Sequence, residues 1–150
     1  MKKFFTIVGL SFAALLIIGV IFFSIVAYQG SELDDESEAY INEVTPLILS
    51  DMKKDTLFKY ADQELINSAS PEEFEKIFSM FNKLGSLQSY NGCSGQASIN
   101  INGSNKSITA YYEANATFDN GEAIVKVTTI KRNESWKIIG FHINSPYFIQ

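Results

Sequence analysis

Apolar and polar positions follow three successive rhythms along this chain. From Phe4 to Tyr28 runs a stretch of 25 residues without a charge, rich in Phe, Ile, Leu and Val, with Thr6, Ser11 and Ser24 scattered rather than gathered on one side. At about 1.5 Å per residue, one tilted helix of that length exceeds the roughly 30 Å hydrocarbon core of a bilayer. The apolar part of a cleaved secretory signal is shorter, about 7 to 15 residues. Ile25 is also a poor partner for a cut after Ala27. The pattern therefore predicts an uncleaved transmembrane anchor over residues 1–30, with an exported domain over residues 31–150.

The second rhythm is helical. A helix is expected to start near Asp34 and Asp35, with Tyr40, Ile41, Val44, Leu47 and Ile48 forming its apolar stripe. Pro46 either kinks that helix or opens a fresh segment capped by Thr45. A weaker helix over 56–67 would bury Leu57, Phe58, Ala61 and Leu65. Ser70-Pro71-Glu72-Glu73 reads as a capping box with proline at the first helical position. Phe74, Ile77, Phe78, Phe81 and Leu84 continue at spacings of three and four, and Gly85 suits a left-handed stop.

After Gly85 the period falls to two, and turn residues recur at Asn91-Gly92, Asn102-Gly103, Asn120-Gly121 and Asn133 to Ser135. Strands are expected at 94–102, 107–118, 122–132 and 136–145, with a shorter one at 87–91, paired as an antiparallel meander. Alternation places Ile108, Ala110, Tyr112, Ala114, Ala116 and Phe118 against the helices, together with Ala123, Val125, Val127 and Thr129. In the last strand the same reading turns Ile139, Phe141 and Ile143 inward. Tyr111, Ile124, Ile130, Trp136 and Ile138 then share the opposite face as an exposed apolar patch, and a homodimer through the sheet is the expectation that follows.

Charge adds an orientation. Lys2 and Lys3 precede the apolar run and acidic residues follow it, so the N-terminus is expected in the cytoplasm. The chain would be a single-pass protein of the cytoplasmic membrane, its domain periplasmic or extracellular. That domain carries ten Lys and Arg against 17 Asp and Glu. Such a balance argues against nucleic acid as a partner, and anionic lipid headgroups would repel the domain as a whole. A single cysteine, Cys93, rules out an intrachain disulfide.

Helices followed by such a meander, closing on Glu134-Ser-Trp-Lys-Ile-Ile-Gly-Phe-His-Ile143, resemble the cystatin-like α+β roll of the NTF2-like superfamily over about residues 35–148. The likeness is to its uncharacterised membrane-anchored bacterial members. It implies a cavity between sheet and helices, which Tyr112, Ala114, Val127, Thr129 and Phe81 would line as a ligand-binding site. One N-terminal span joined to such a domain also resembles the anchored scaffold subunits of type IV secretion machines, so an envelope protein partner is expected.

Catalytic chemistry is poorly provided for. The inward face offers Tyr112 and Thr129 but no carboxylate, since Glu113 alternates outward and Glu122 lies at a turn. An isomerase or dehydratase of this fold would need an acid from a helix, such as Asp62 or Glu64. His142 is the only histidine, and neither a phosphate-cradling glycine loop nor a Cys-x-x-Cys or His-Glu-x-x-His spacing occurs. No catalytic residue, metal or cofactor is assigned. The reading is a binding or scaffold domain, with a cavity enzyme or a hydrophobic-ligand carrier as alternatives.

Overall fold

A computed structural model describes residues 31–149. The expected anchor lies outside the described residues, and among the described residues no helix is long and apolar enough to cross a membrane. The domain is α+β, with helices packed on a four-stranded antiparallel sheet in the order β1-β2-β3-β4. The helical layer comprises α1 (residues 31–51), α2 (Lys54–Tyr60), α3 (Gln63–Ile66) and α4 (Pro71–Phe81), the last extended by a 3-10 turn at Asn82–Leu84. The strands are β1 (Leu87–Asn102), β2 (Asn105–Phe118), β3 (Gly121–Arg132) and β4 (Ser135–Asn144), and a 3-10 turn at Pro146–Ile149 follows.

α1 stays helical through Pro46. Proline inside a helix costs about 3 kcal/mol. The buried stripe continues on both sides of it: Ile41, Val44, Ile48, Leu49 and Met52 are all at most 4% exposed, and burying such side chains contributes about 1.5 to 3 kcal/mol each. The stripe is rotated from the expected one, because Ser37 and Thr45 are fully buried while Leu47 is exposed. The helix stops at Met52, whose φ of 46° no helix continues.

The expected helix over 56–67 is two helices. Between them Ala61 bridges to Ile138, and the Asp62 amide donates to the Ile138 carbonyl at 2.8 Å. This contact across the fold overrides local helical preference. The capping box at Ser70 forms in full: Ser70 Oγ accepts from the Glu73 amide at 3.2 Å, and Glu73 Oε2 accepts from the Ser70 amide at 2.7 Å. Phe74, Phe78, Phe81 and Leu84 are buried, and Phe74 meets Phe58 edge-on at 5.0 Å.

Three register shifts break simple alternation in the sheet, the first at Gln88, which is extra between Leu87 facing Phe118 and Ser89 facing Thr117. Asn91-Gly92 is a bulge inside one long strand rather than a turn between two: Tyr90 faces Ala116 and Cys93 faces Ala114, so two residues oppose Asn115 alone, with Gly92 at φ 79°. In β4, Thr128 faces Gly140 but Thr129 faces Ile138, which leaves Ile139 as an extra residue. Inserting one residue exchanges the faces of everything before it. Trp136 and Ile138 therefore turn to the helices, 7% and 0% exposed. Ile130 is also buried, at 7%. The expected patch of Tyr111, Ile124, Ile130, Trp136 and Ile138 is thus not one surface, and of the five only Tyr111 and Ile124 are exposed. The β3–β4 turn has Asn133 at φ 48° and Glu134 at φ 62°, the two positive angles of a tight hairpin whose twist matches its strands.

The bulge makes a measurable distinction. Ile138→Ala should lower stability by about 2 to 5 kcal/mol, whereas Ile124→Ala should cost well under about 1 kcal/mol. Urea unfolding followed by the fluorescence of Trp136 reads both; equal losses would contradict the register.

Candidate functional site

Two places in the described domain bear on function, one closed and one open. The closed one is the interior face of the sheet. β2 and β3 bring Tyr112, Ala114, Val127 and Thr129 together there and α4 adds Phe81, as alternation implies. Each is at most 3% exposed.

Tyr112 is committed to the structure. Its hydroxyl lies 2.9 Å from Ser37 Oγ and donates to the Asp34 carbonyl at 3.0 Å, both in the first turns of α1. Burial raises its pKa, so it stays protonated at neutral pH. Asp34 Oδ1 also accepts from the Ala97 amide in β1 at 2.6 Å. Asp34, Ser37, Tyr112 and Ala97 thus form a polar clasp tying the start of α1 to two strands. Thr129 Oγ1 and Trp136 Nε1 are buried without a hydrogen-bond partner among the described residues. Leaving such a group unmatched costs about 1 to 3 kcal/mol.

The acids that a proton-transfer enzyme would need are elsewhere. Asp62 caps α3 by accepting from the Glu64 amide, and both carboxylates reach Arg132, at 3.5 and 3.7 Å. Glu113 faces outward, 3.0 Å from Lys126 Nζ and accepting from the Tyr111 hydroxyl at 2.5 Å. Those two partners hold its carboxyl below its ordinary value. Cys93 and His142 sit in β1 and β4, the two edges of the sheet, about three strand spacings or 14 Å apart. No thiol–imidazole couple forms between them. Burial pushes the Cys93 thiol up, the opposite of what a nucleophile requires. Among the described residues no group of three or more His, Cys, Asp or Glu is placed to hold a metal ion.

The open place is a groove of about 840 Å³ at the end of the sheet where β2 turns into β3. Ala116 and Ala123 line it from the helix-facing side of β2 and β3 and Ile124 from the outer face, and Pro146, Phe148 and Ile149 form one wall. Asn91, Asn115, Thr117, Asn144 and Ser145 add neutral hydrogen-bonding groups, and Glu122 adds the one charge on its lining. Asn115, Ile124 and Asn144 stand in register across three strands. The wall is fixed by Ser145, whose hydroxyl donates to the Glu122 carbonyl at 2.7 Å, and by Phe148 against Phe81 at 6.3 Å. None of the five expected ligand residues lines it. Sequence reasoning passed over this groove because its wall is a short turn after the last strand, which no periodicity marks.

Comparison with models of known protein families finds no match to this chain, and neither does comparison with curated proteins.

Buried tyrosines give the domain a defined alkaline limit. Burial and nearby Tyr60 and Glu43 push Tyr40 up to about 12 from an ordinary 10.0, and burial raises Tyr90 and Tyr112 in the same direction. The folded state holds protons that the unfolded chain releases. That stabilisation is complete below pH 10.0 and is lost as pH climbs toward 12. The melting temperature should fall across this window, and less steeply in Tyr40→Phe; identical slopes would contradict the assignment.

Proposed function

We propose that this chain is a single-pass envelope protein, anchored by residues 4–28 with its N-terminus in the cytoplasm, whose exported NTF2-like, cystatin-like domain works by binding rather than by catalysis. One observation carries the reading: the interior face is closed and its tyrosines are held by α1, Tyr112 by the Asp34 carbonyl and Ser37 and Tyr90 by Asn42, while the groove beside Ile124 is open and mostly apolar.

Clefts of about 300 to 1,000 Å³ lined by apolar groups with a few polar ones are the usual form of a site for small molecules or side chains. The groove has that size and make-up, and the two central strands contribute to its lining. A scaffold role, with an envelope protein seated there, fits the anchored architecture. A hydrophobic-ligand carrier is the second reading, favoured by Ile124, Pro146 and Phe148 along the same groove. A cavity enzyme draws no support from the positions of Asp62, Glu64 and Glu113.

Ile124→Asp places a charge on the groove lining at an exposed position. Gentle detergent extraction and affinity purification should recover a bound protein or hydrophobic molecule with the native chain and lose it with the variant. Recovery of both forms alone, or with the same companion, would overturn the binding reading at this site.

A further inference from the structure

Beyond Thr109, the first residue of β2 that pairs with β3, the β1–β2 hairpin continues as a two-stranded ribbon. In this arm Ile99 faces Ile108, Ile101 faces Lys106, and Asn102 faces Asn105. Register puts Ile99, Ile101, Ile108 and Lys106 on one side and Asn100, Asn102, Asn105 and Ser107 on the other. The apolar side opens toward the tip: Ile108 is half-buried, but Ile101 is 73% exposed and Ile99 40%. Two-stranded ribbons are marginal in water, and exposed apolar faces mark contact surfaces.

Charge and chain length say what that surface meets. The domain is acidic overall, yet between Lys76 and Tyr112 it has no Asp or Glu. The arm itself carries Lys106 and no acid. The clasp then fixes where the arm lies. Asp34 holds Ala97 at the root of the arm, while Asn42, two turns further along α1, accepts from Tyr90 well back in β1. α1 therefore runs away from the arm, and the start of the domain lies at the arm's end. Only five residues lie between Tyr28 and Asp34, and with α1 starting at residue 31 they span at most about 15 Å. Five residues from Ala97 to Asn102 reach about 17 Å.

We infer that the arm is a second membrane contact, its isoleucines resting in the interfacial layer of the bilayer that the anchor crosses and Lys106 reaching lipid phosphates. The inference rests on the anchored reading proposed above. It requires no groove and no partner protein. The apolar side supplies burial, the long Lys106 side chain lets its charge stay at headgroup level, and the arm has no carboxylate of its own, the acidic first turns of α1 standing at its root. A contact near the anchor and another on the arm would hold the domain in one orientation on the membrane.

The test uses the full chain in vesicles of mixed zwitterionic and anionic phospholipid, with Cys93→Ser as background and an environment-sensitive fluorophore on Ile101→Cys or on Glu122→Cys at the far end of the sheet. The probe at 101 should be quenched by lipid-borne nitroxide and protected from aqueous acrylamide, and the probe at 122 should show the reverse. Lys106→Gln should weaken lipid quenching at 101 by roughly fivefold in anionic vesicles and leave it unchanged in zwitterionic ones. A probe at 101 that behaves as at 122 overturns the inference while leaving the anchor intact. Shielding from both quenchers means that a second copy or another protein covers the arm, which also overturns it. A Lys106→Gln arm that inserts as well as the native one removes the headgroup contact. If an alkaline carbonate wash strips the chain from the vesicles, the anchored reading itself fails, and this inference with it.

Discussion

The clasp at the start of α1 is the interaction on which the arrangement depends. Asp34 and Ser37 are adjacent turns of one helix, and through them a strand edge, a buried phenol and the helix terminus satisfy one another's polar groups. Buried hydroxyls and amides without partners are costly, so the pairing fixes both the angle at which α1 crosses the sheet and the end from which the chain departs. It also gives Tyr112, fully buried on the interior face, a structural partner. A face that elsewhere could hold a substrate is here the seat of the longest helix.

A second consequence is the separation of surfaces along the sheet. One end carries the isoleucine-bearing arm with Lys106, and the other carries the groove, whose described lining has Glu122 as its charged side chain. Several acidic side chains of the helix layer gather near the root of the arm: Asp34, Asp35, Glu36 and Glu38 in the first turns of α1, and Asp62 and Glu64 at the turn that meets Arg132 beside the β3–β4 hairpin. Lys131 is nearly buried between Glu36 and Glu134 and stands 5.9 Å over the Trp136 ring, joining the helix layer to the last hairpin. The two ends of the sheet are left with different chemistry and can meet different partners.

Much of this fold was legible residue by residue. The capping box at Ser70, the turns at Asn102-Gly103 and Asn133-Glu134, and the alternation of β2 and β3 depend on local geometry, which the sequence encodes directly. What failed to read were single-residue insertions and contacts across the fold. Ile139 is an unremarkable isoleucine in an apolar run, yet as a bulge it turns Trp136 and Ile138 inward and removes two of the five residues of the expected surface patch. Ala61 breaks a helix because Ile138 is there to pair with it. The candidate site divided in the same way. Tyr112, Ala114, Val127, Thr129 and Phe81 were placed on the correct face, but whether space remains beside them depends on how deeply α1 and α4 settle, and no periodicity states that.

The most direct measurement is hydrogen exchange at individual amides. Ala97 lies in an edge strand, where an amide that does not point to the neighbouring strand ordinarily exchanges fast. With its proton held by Asp34 it should be as protected as the interior pairs of β2 and β3, and Asp34→Ala should abolish that protection without unfolding α4. Fast exchange at Ala97 in the native chain, or no change on removing Asp34, would contradict the clasp and the placement of the arm that follows from it.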